Sequence, residues 1–182
     1  MRTMAAMIAV LALAGCASFE GRGLAPGKST AAEVDALMGP AADKRAAANG
    51  ETWLYYPRQP FGRAMYVARV GADGRLVAIE QRLTDENVGK LVLGGTRAEE
   101  VRALLGPPYG VTRFPRLDRD VWQYHMRRFG DPGQPAALYV QLSPDGVVRE
   151  VLYQDESEDW LRRGLDAGIG IGGVRAGVGL GF

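Results

Sequence analysis

The 182-residue chain has one cysteine and one histidine. A lone cysteine excludes an internal disulfide framework. One histidine and one thiol fall short of the four ligands of a structural zinc site, and no His/carboxylate pair has metal-ligand spacing. The chain also lacks an excess of either charge. Its 22 basic and 21 acidic residues give a net charge of +1. No strong field therefore points to nucleic acid or to an acidic substrate. A nucleophile motif such as Gly-x-Ser-x-Gly is missing as well. These absences lead us to expect no catalytic residues, no metal, no cofactor, no nucleic-acid partner and no enzymatic activity. What is present, 47% hydrophobic and 24% charged residues, is the composition of a folded globular protein.

The apolar run is confined to the N-terminus. Met1–Gly15 reads MRTMAAMIAVLALAG, with one positive charge at Arg2. That is too short for a membrane span and fits the apolar region of a signal peptide. It ends in Leu13-Ala14-Gly15-Cys16, which resembles the bacterial lipobox. The resemblance implies cleavage before Cys16 and acylation of its thiol, with palmitate among the chains. The alternative is a cut elsewhere that leaves a free thiol. Two or three acyl chains anchor stably, since each buried methylene contributes about 0.8 kcal/mol. Ala17-Ser18 lacks the aspartate that, by the same resemblance, retains lipoproteins at the inner membrane. The expected location is the outer membrane, lipid-anchored and facing the periplasm.

The rest of the chain is written twice. STAAEVDALMGP (Ser29–Pro40) is echoed by TRAEEVRALLGP (Thr96–Pro107). In each copy a cap residue, Ser29 or Thr96, precedes apolar positions at helical spacing, and Gly-Pro stops the run. In the second copy Thr96 and Glu99 are spaced as a capping box. Short aromatic and β-branched runs follow: Thr52–Pro57, Arg63–Val70 and Arg75–Leu83, then Val121–Met126, Ala137–Leu142 and Val147–Gln154. These read as strands, and Asp73-Gly74 and Asp145-Gly146 as tight hairpin turns. DENVGKLVL (Asp85–Leu93) reads as a further helix before the second copy, with a poorer counterpart in SFEGRGLAPG before the first. The expected fold is α+β: two tandem units of helix, helix and three-stranded antiparallel meander. The boundaries are 1–15 for the signal peptide, 16–83 and 84–154 for the units, and 155–182 for a short acidic helix and a glycine-rich tail.

The order Gly-Gly-Thr, helix, Gly-Pro-Pro, Trp-x-Tyr, strand, Asp-Gly, strand is similar to the SmpA/OmlA (BamE-like) domain of outer-membrane lipoproteins. Its duplication resembles the tandem architecture of the β-lactamase inhibitor proteins. The first resemblance implies an outer-membrane lipoprotein that supports assembly of β-barrel proteins. The second implies a protein-binding inhibitor.

Trp53, Tyr55, Trp122 and Tyr124 read as core positions where the first strand of each unit meets its helices, with a binding platform as the alternative. The connections that follow, YPRQPFG (Tyr56–Gly62) and HMRRFG (His125–Gly130), each place arginine before Phe-Gly. Arg58, Phe61, Arg127 and Phe129 are the candidate partner-binding residues, because aromatics and arginine are enriched at interfaces. The alternative tucks both phenylalanines inward. DESED (Asp155–Asp159) reads as the acidic first turn of a final helix. From Val174 the tail alternates apolar residues with arginine or glycine and ends in Phe182. That period of two suits either a strand added to a partner edge, with Phe182 as terminal anchor, or a flexible tail. The function expected is thus a non-catalytic lipoprotein binding the β-barrel assembly machinery or another envelope protein, or else an inhibitor or binding module for a periplasmic enzyme.

Overall fold

The computed structural model describes residues 20–130 and 133–157. Their order is α1 (Ala31–Met38), β1 (Asp43–Ala46), β2 (Thr52–Pro57), β3 (Met65–Val70), β4 (Leu76–Gln81), α2 (Asp85–Val88), α3 (Ala98–Leu105), β5 (Gly110–Phe114), β6 (Arg119–Arg128), β7 (Gln134–Leu142) and β8 (Val148–Asp155). Two four-stranded sheets form, in the orders β1-β2-β3-β4 and β5-β6-β7-β8. In the second sheet every neighbouring pair is antiparallel.

The expected helix–helix–three-strand unit is therefore wrong: each copy has four strands and little helix. Residues 20–29 form turns because Gly21, Gly23 and Gly27 all have positive φ, a conformation that breaks a helix. The run expected to be helical from Asp85 to Leu93 supports one turn only. Val92 and Leu93 are exposed, so no apolar stripe carries the helix past Gly89. The unexpected strands β1 and β5 are edge strands of their sheets and face water at nearly every position. They carry none of the apolar alternation by which a half-buried strand is read.

The two copies agree in detail. Thr30, one residue after the expected cap, caps α1. Its side-chain oxygen accepts the Glu33 N–H at 3.3 Å, while the Thr30 N–H donates to the Glu33 carboxylate at 2.7 Å. In α3 the Arg97 N–H donates to the Glu100 carboxylate at 2.7 Å. Ser29 and Thr96 turn back instead. Their hydroxyls accept the N–H of Ala25 at 3.0 Å and of Val92 at 2.8 Å, which folds the entering chain. That chain also bonds to the last strand of its own copy. Gly27 N–H donates to Leu76 O at 2.7 Å, and Gly94 N–H to Val148 O at 2.8 Å. Each helix is only eight residues long and depends on packing. Val34 and Met38 in α1, and Val101 and Leu105 in α3, are buried.

Both helices stop at Gly-Pro. Gly39 has φ 85°, ψ −179° and Gly106 has φ 83°, ψ −176°. This corner of conformational space is essentially glycine's alone. A following proline excludes the left-handed turn that usually ends a helix, because its ring collides with that ψ. The hairpins joining the last two strands are three-residue loops rather than two-residue turns. Gly146 N–H donates to Ser143 O at 2.8 Å and Ser143 N–H to Val147 O at 3.0 Å, with Gly146 at φ 76°. Gly74 repeats the arrangement at φ 77°. This is a type I turn closed by a glycine bulge.

The chain divides into two compact units: residues up to 54 with 68–79, and residues 55–67 with those from 80 onward. In the first, Arg69 grips Glu51 with two bonds, Nε to Oε2 at 2.8 Å and Nη2 to Oε1 at 2.7 Å. Trp53 Nε1 adds a third at 3.0 Å. These bonds hold the Glu51 carboxyl at about 2. The second unit has a core of Tyr55, Tyr56, Met65, Leu105, Tyr124, Met126 and Leu138.

Candidate functional site

The aromatic pairs expected in the core divide. Tyr55, Trp122 and Tyr124 are buried. Tyr124 donates its hydroxyl to Gly106 O at 3.2 Å, and burial pushes that hydroxyl's pKa up. Trp53 is half-buried and bound to Glu51 as described.

The loops after β2 and β6 behave differently from the core. Phe61 is 93% exposed and Phe129 71% exposed. Both lie in the second compact unit, on loops tied in place by hydrogen bonds and ion pairs. On the first loop, Gln59 Oε1 accepts the His125 N–H at 2.6 Å. Beyond Phe61, Arg63 pairs with the Glu156 carboxylate. His125 Nδ1 meets the same oxygen at 3.1 Å. Burial raises the Glu156 carboxyl, but the bonds and charges of Arg63 and His125 outweigh it, so the group is held below the usual carboxylate range. The other ring nitrogen of His125 is 3.2 Å from Gln123 Nε2, and Tyr109 packs edge-on at 4.8 Å. Both nitrogens are thus occupied by neighbouring side chains.

On the second loop the anchor is Asp85, in the first turn of α2. Its Oδ2 accepts the Phe129 N–H at 2.8 Å and its Oδ1 accepts Arg128 Nε at 3.0 Å. Phe129 sits at φ 63°, uncommon for a bulky residue. The Arg128 guanidinium lies 3.7 Å from the centre of the Tyr153 ring and 4.6 Å from that of Phe129. Beside it opens a groove of about 210 Å³, walled by Phe129, Gln134, Pro135, Ala136, Tyr153 and Asp155.

The two loops share one end of the second unit. His125, to which Gln59 is tied, precedes Phe129 by four residues, or about 13 Å of strand. The other candidates fall out as follows. Arg58 is half-buried, and burial pushes its guanidinium down. Arg127 is exposed and donates to Gly133 O at 3.3 Å. Cys16 and Phe182 lie outside the described residues, as do the signal peptide, the tail and all but the first three residues of the acidic run. Asp155, expected to open a helix, ends β8. Asp85, Arg128, Tyr153 and Glu156 were not singled out from the sequence. Their partners stand 25 to 93 residues away, and no local pattern marks such pairs.

Among the described residues no group of His, Cys, Asp or Glu side chains has the arrangement of a metal site. No helix there is long and apolar enough to cross a membrane. The chain is a duplicated, mostly antiparallel β protein whose second unit displays two anchored phenylalanine loops. No protein-family model matches it, and no curated protein matches it significantly. Two solved structures are similar. One is YjgB of Bacillus subtilis, a DUF4309 family protein, 22% identical over 74% of this chain and 84% of that one, with a TM-score of 0.29. The other is a Streptococcus mutans protein proposed to be a β-lactamase inhibitor, 14% identical over 71% of this chain and 84% of that one, also at 0.29. Superpositions at that score are too loose to carry a fold or a function across. The SmpA/OmlA resemblance rests on the sequence motifs alone.

Proposed function

We propose that this protein is a non-catalytic binding module that docks on another protein through the end of its second unit, acting as a binder or inhibitor of an envelope protein. One observation carries the reading: Phe61 and Phe129, at equivalent loops of the two copies, stand exposed on backbones that Gln59, Arg63 and Asp85 hold in place. A large apolar ring left in water is unfavourable by about 25 cal/mol per Å². A bond network that fixes it there lowers the ordering cost of association. Paired aromatic anchors of this kind are what dominate binding energy at interfaces. No described residue favours a role in β-barrel assembly over other docking roles, so the binder is the reading we carry forward.

The test is site-specific photocrosslinking with benzoylphenylalanine at positions 61 and 129 in cells, with exposed Val77 as the control. A discrete adduct to one protein from both loop positions, absent at 77, is expected. Phe61→Ala with Phe129→Ala should weaken recovery of that protein at least tenfold and leave the melting curve within about 2 °C of wild type. No adduct, or a large loss of stability, would overturn the reading.

The proposal includes the lipid anchor at Cys16, which tethers the module to the outer membrane on its periplasmic side. Cys16→Ser should abolish palmitate labelling and leave the precursor unprocessed by lipoprotein signal peptidase. Normal labelling of the variant would rule the anchor out.

A further inference from the structure

The Phe129 loop carries one more feature than the Phe61 loop, a guanidinium held in place with its outer edge unused. Arg128 is fixed three ways. Its Nε is bound to Asp85 at 3.0 Å, one ring lies 3.7 Å from it, and a second lies 4.6 Å from it. A bond at Nε and rings at the faces leave the two Nη groups as the available edge. Among the described residues neither Nη group has a hydrogen-bond partner, and neither has the Tyr153 hydroxyl. Arg128 and Tyr153 both line the groove beside Phe129.

An arginine in water satisfies its Nη donors with solvent and loses rotamer entropy when it meets a ligand. Here that entropy is already lost, because stacking and the Asp85 bond set the side chain. The free edge is a planar pair of donors, the arrangement that fits a carboxylate through two parallel bonds. Asp85 balances the charge of Arg128 but occupies only Nε, so the fork remains open. Phe129, Pro135, Ala136 and Tyr153 give the groove apolar and aromatic walls, and Gln134 and Asp155 complete the lining, Asp155 Oδ1 already accepting the Ser157 N–H at 2.8 Å. From this juxtaposition, and resting on the reading of the site as a protein-docking surface, we infer that the groove takes a segment of the partner protein that carries an aspartate or glutamate next to an apolar side chain. The carboxylate sits on the Arg128 fork with the Tyr153 hydroxyl as a further donor, and the apolar side chain lies against Phe129.

The experiment is selection of a random twelve-residue peptide display library on the purified chain from Cys16 onward, made without lipid. It is repeated on Arg128→Gln, Arg128→Lys and Phe129→Ala. Acidic residues should be enriched severalfold in peptides recovered on the native protein. That enrichment should vanish on Arg128→Gln and fall strongly on Arg128→Lys, which keeps the charge and loses the fork. Peptides that need Phe129 but show no acidic enrichment would overturn the carboxylate assignment and leave the docking surface standing. Recovery of no peptide that depends on Phe129 would overturn both. Each variant is checked by its melting curve. If Arg128→Gln melts well below wild type, selection on the native protein is repeated against soluble acetate as competitor. Loss of the acidic peptides then supports the fork, and their persistence overturns it.

Discussion

Replacing Gly106 by valine is expected to lower the melting temperature by about 10 °C and to destabilise the protein by about 3–5 kcal/mol. Two costs add. A residue with a Cβ at φ 83°, ψ −176° is strained by about 1–3 kcal/mol. Pro107 follows, so the chain cannot relax toward the ordinary left-handed conformation. The second cost is steric. A Cβ built on Gly106 would stand 2.6 Å from Cγ and 2.9 Å from Sδ of Met65, a residue with no exposed surface. Overpacking of that kind costs about 1–3 kcal/mol. Nor can the backbone shift freely, since Tyr124 holds the Gly106 carbonyl. Gly39 separates the two contributions. It has the same dihedrals with open space where its Cβ would be. Gly39→Ala should therefore show only the conformational cost, and Gly106→Ala should melt lower than Gly39→Ala. Differential scanning calorimetry of the three variants decides it. A Gly106→Val protein that melts with wild type would mean that the helix ends elsewhere.

Those glycines were legible in the sequence, as were six of the eight strands. The strand Thr52–Pro57 is marked to the residue, because Trp, Leu and two tyrosines in a row leave little else for the segment to be. The two missed strands, Asp43–Ala46 and Gly110–Phe114, are edges that water surrounds. Apolar alternation records burial on one face, and a strand with no buried face leaves no such record. The caps lie one residue after the hydroxyl residues that signal them, at Thr30 and Arg97. Ser29 and Thr96 are good capping residues, but a hydroxyl can also bond backward, and here each accepts an N–H four residues before it. The site was legible only in part. Arginine followed by Phe-Gly in both loops marked Phe61 and Phe129, since that repeat is local. What makes the loops a site is not local. Gln59 reaches His125, Arg63 reaches Glu156 and Arg128 reaches Asp85, over 66, 93 and 43 residues. No spacing rule joins residues so far apart.

Glu156 is where that long-range bonding concentrates, and Glu156→Ala is expected to cost about 2 kcal/mol. Removing one partner of a fully buried ion pair costs about 3–5 kcal/mol, because the other charge is left without compensation. Here the side chains of Arg63, His125 and Glu156 keep 19%, 11% and 24% of their exposure, so solvent takes back part of that. At roughly 2–4 °C per kcal/mol for a chain of this length, melting should fall by about 4–8 °C. The pH dependence follows from the direction of the shift. The folded carboxyl lies below its ordinary 4.5, so its contribution to stability is full above pH 4.5 and fades as pH falls through the folded value. Glu156→Gln should therefore flatten the acid limb of the melting profile below pH 4.5 and change its slope little above. The structural consequence reaches the binding loop. Arg63 is one of the ties that hold the connection bearing Phe61, beside Gln59 and the Arg58 N–H bond to Ala64 O, and without Glu156 that tie is lost. Partner recovery should then drop for Glu156→Ala although Phe61 itself is untouched, and hydrogen exchange of Phe61–Arg63 should quicken. Arg63→Gln combined with Glu156→Ala should cost less than the sum of the two, since each removes the same pair. If the double variant is additive, Arg63 and Glu156 do not act on each other and the loop is held by its other bonds, at Gln59 and between Arg58 N–H and Ala64 O.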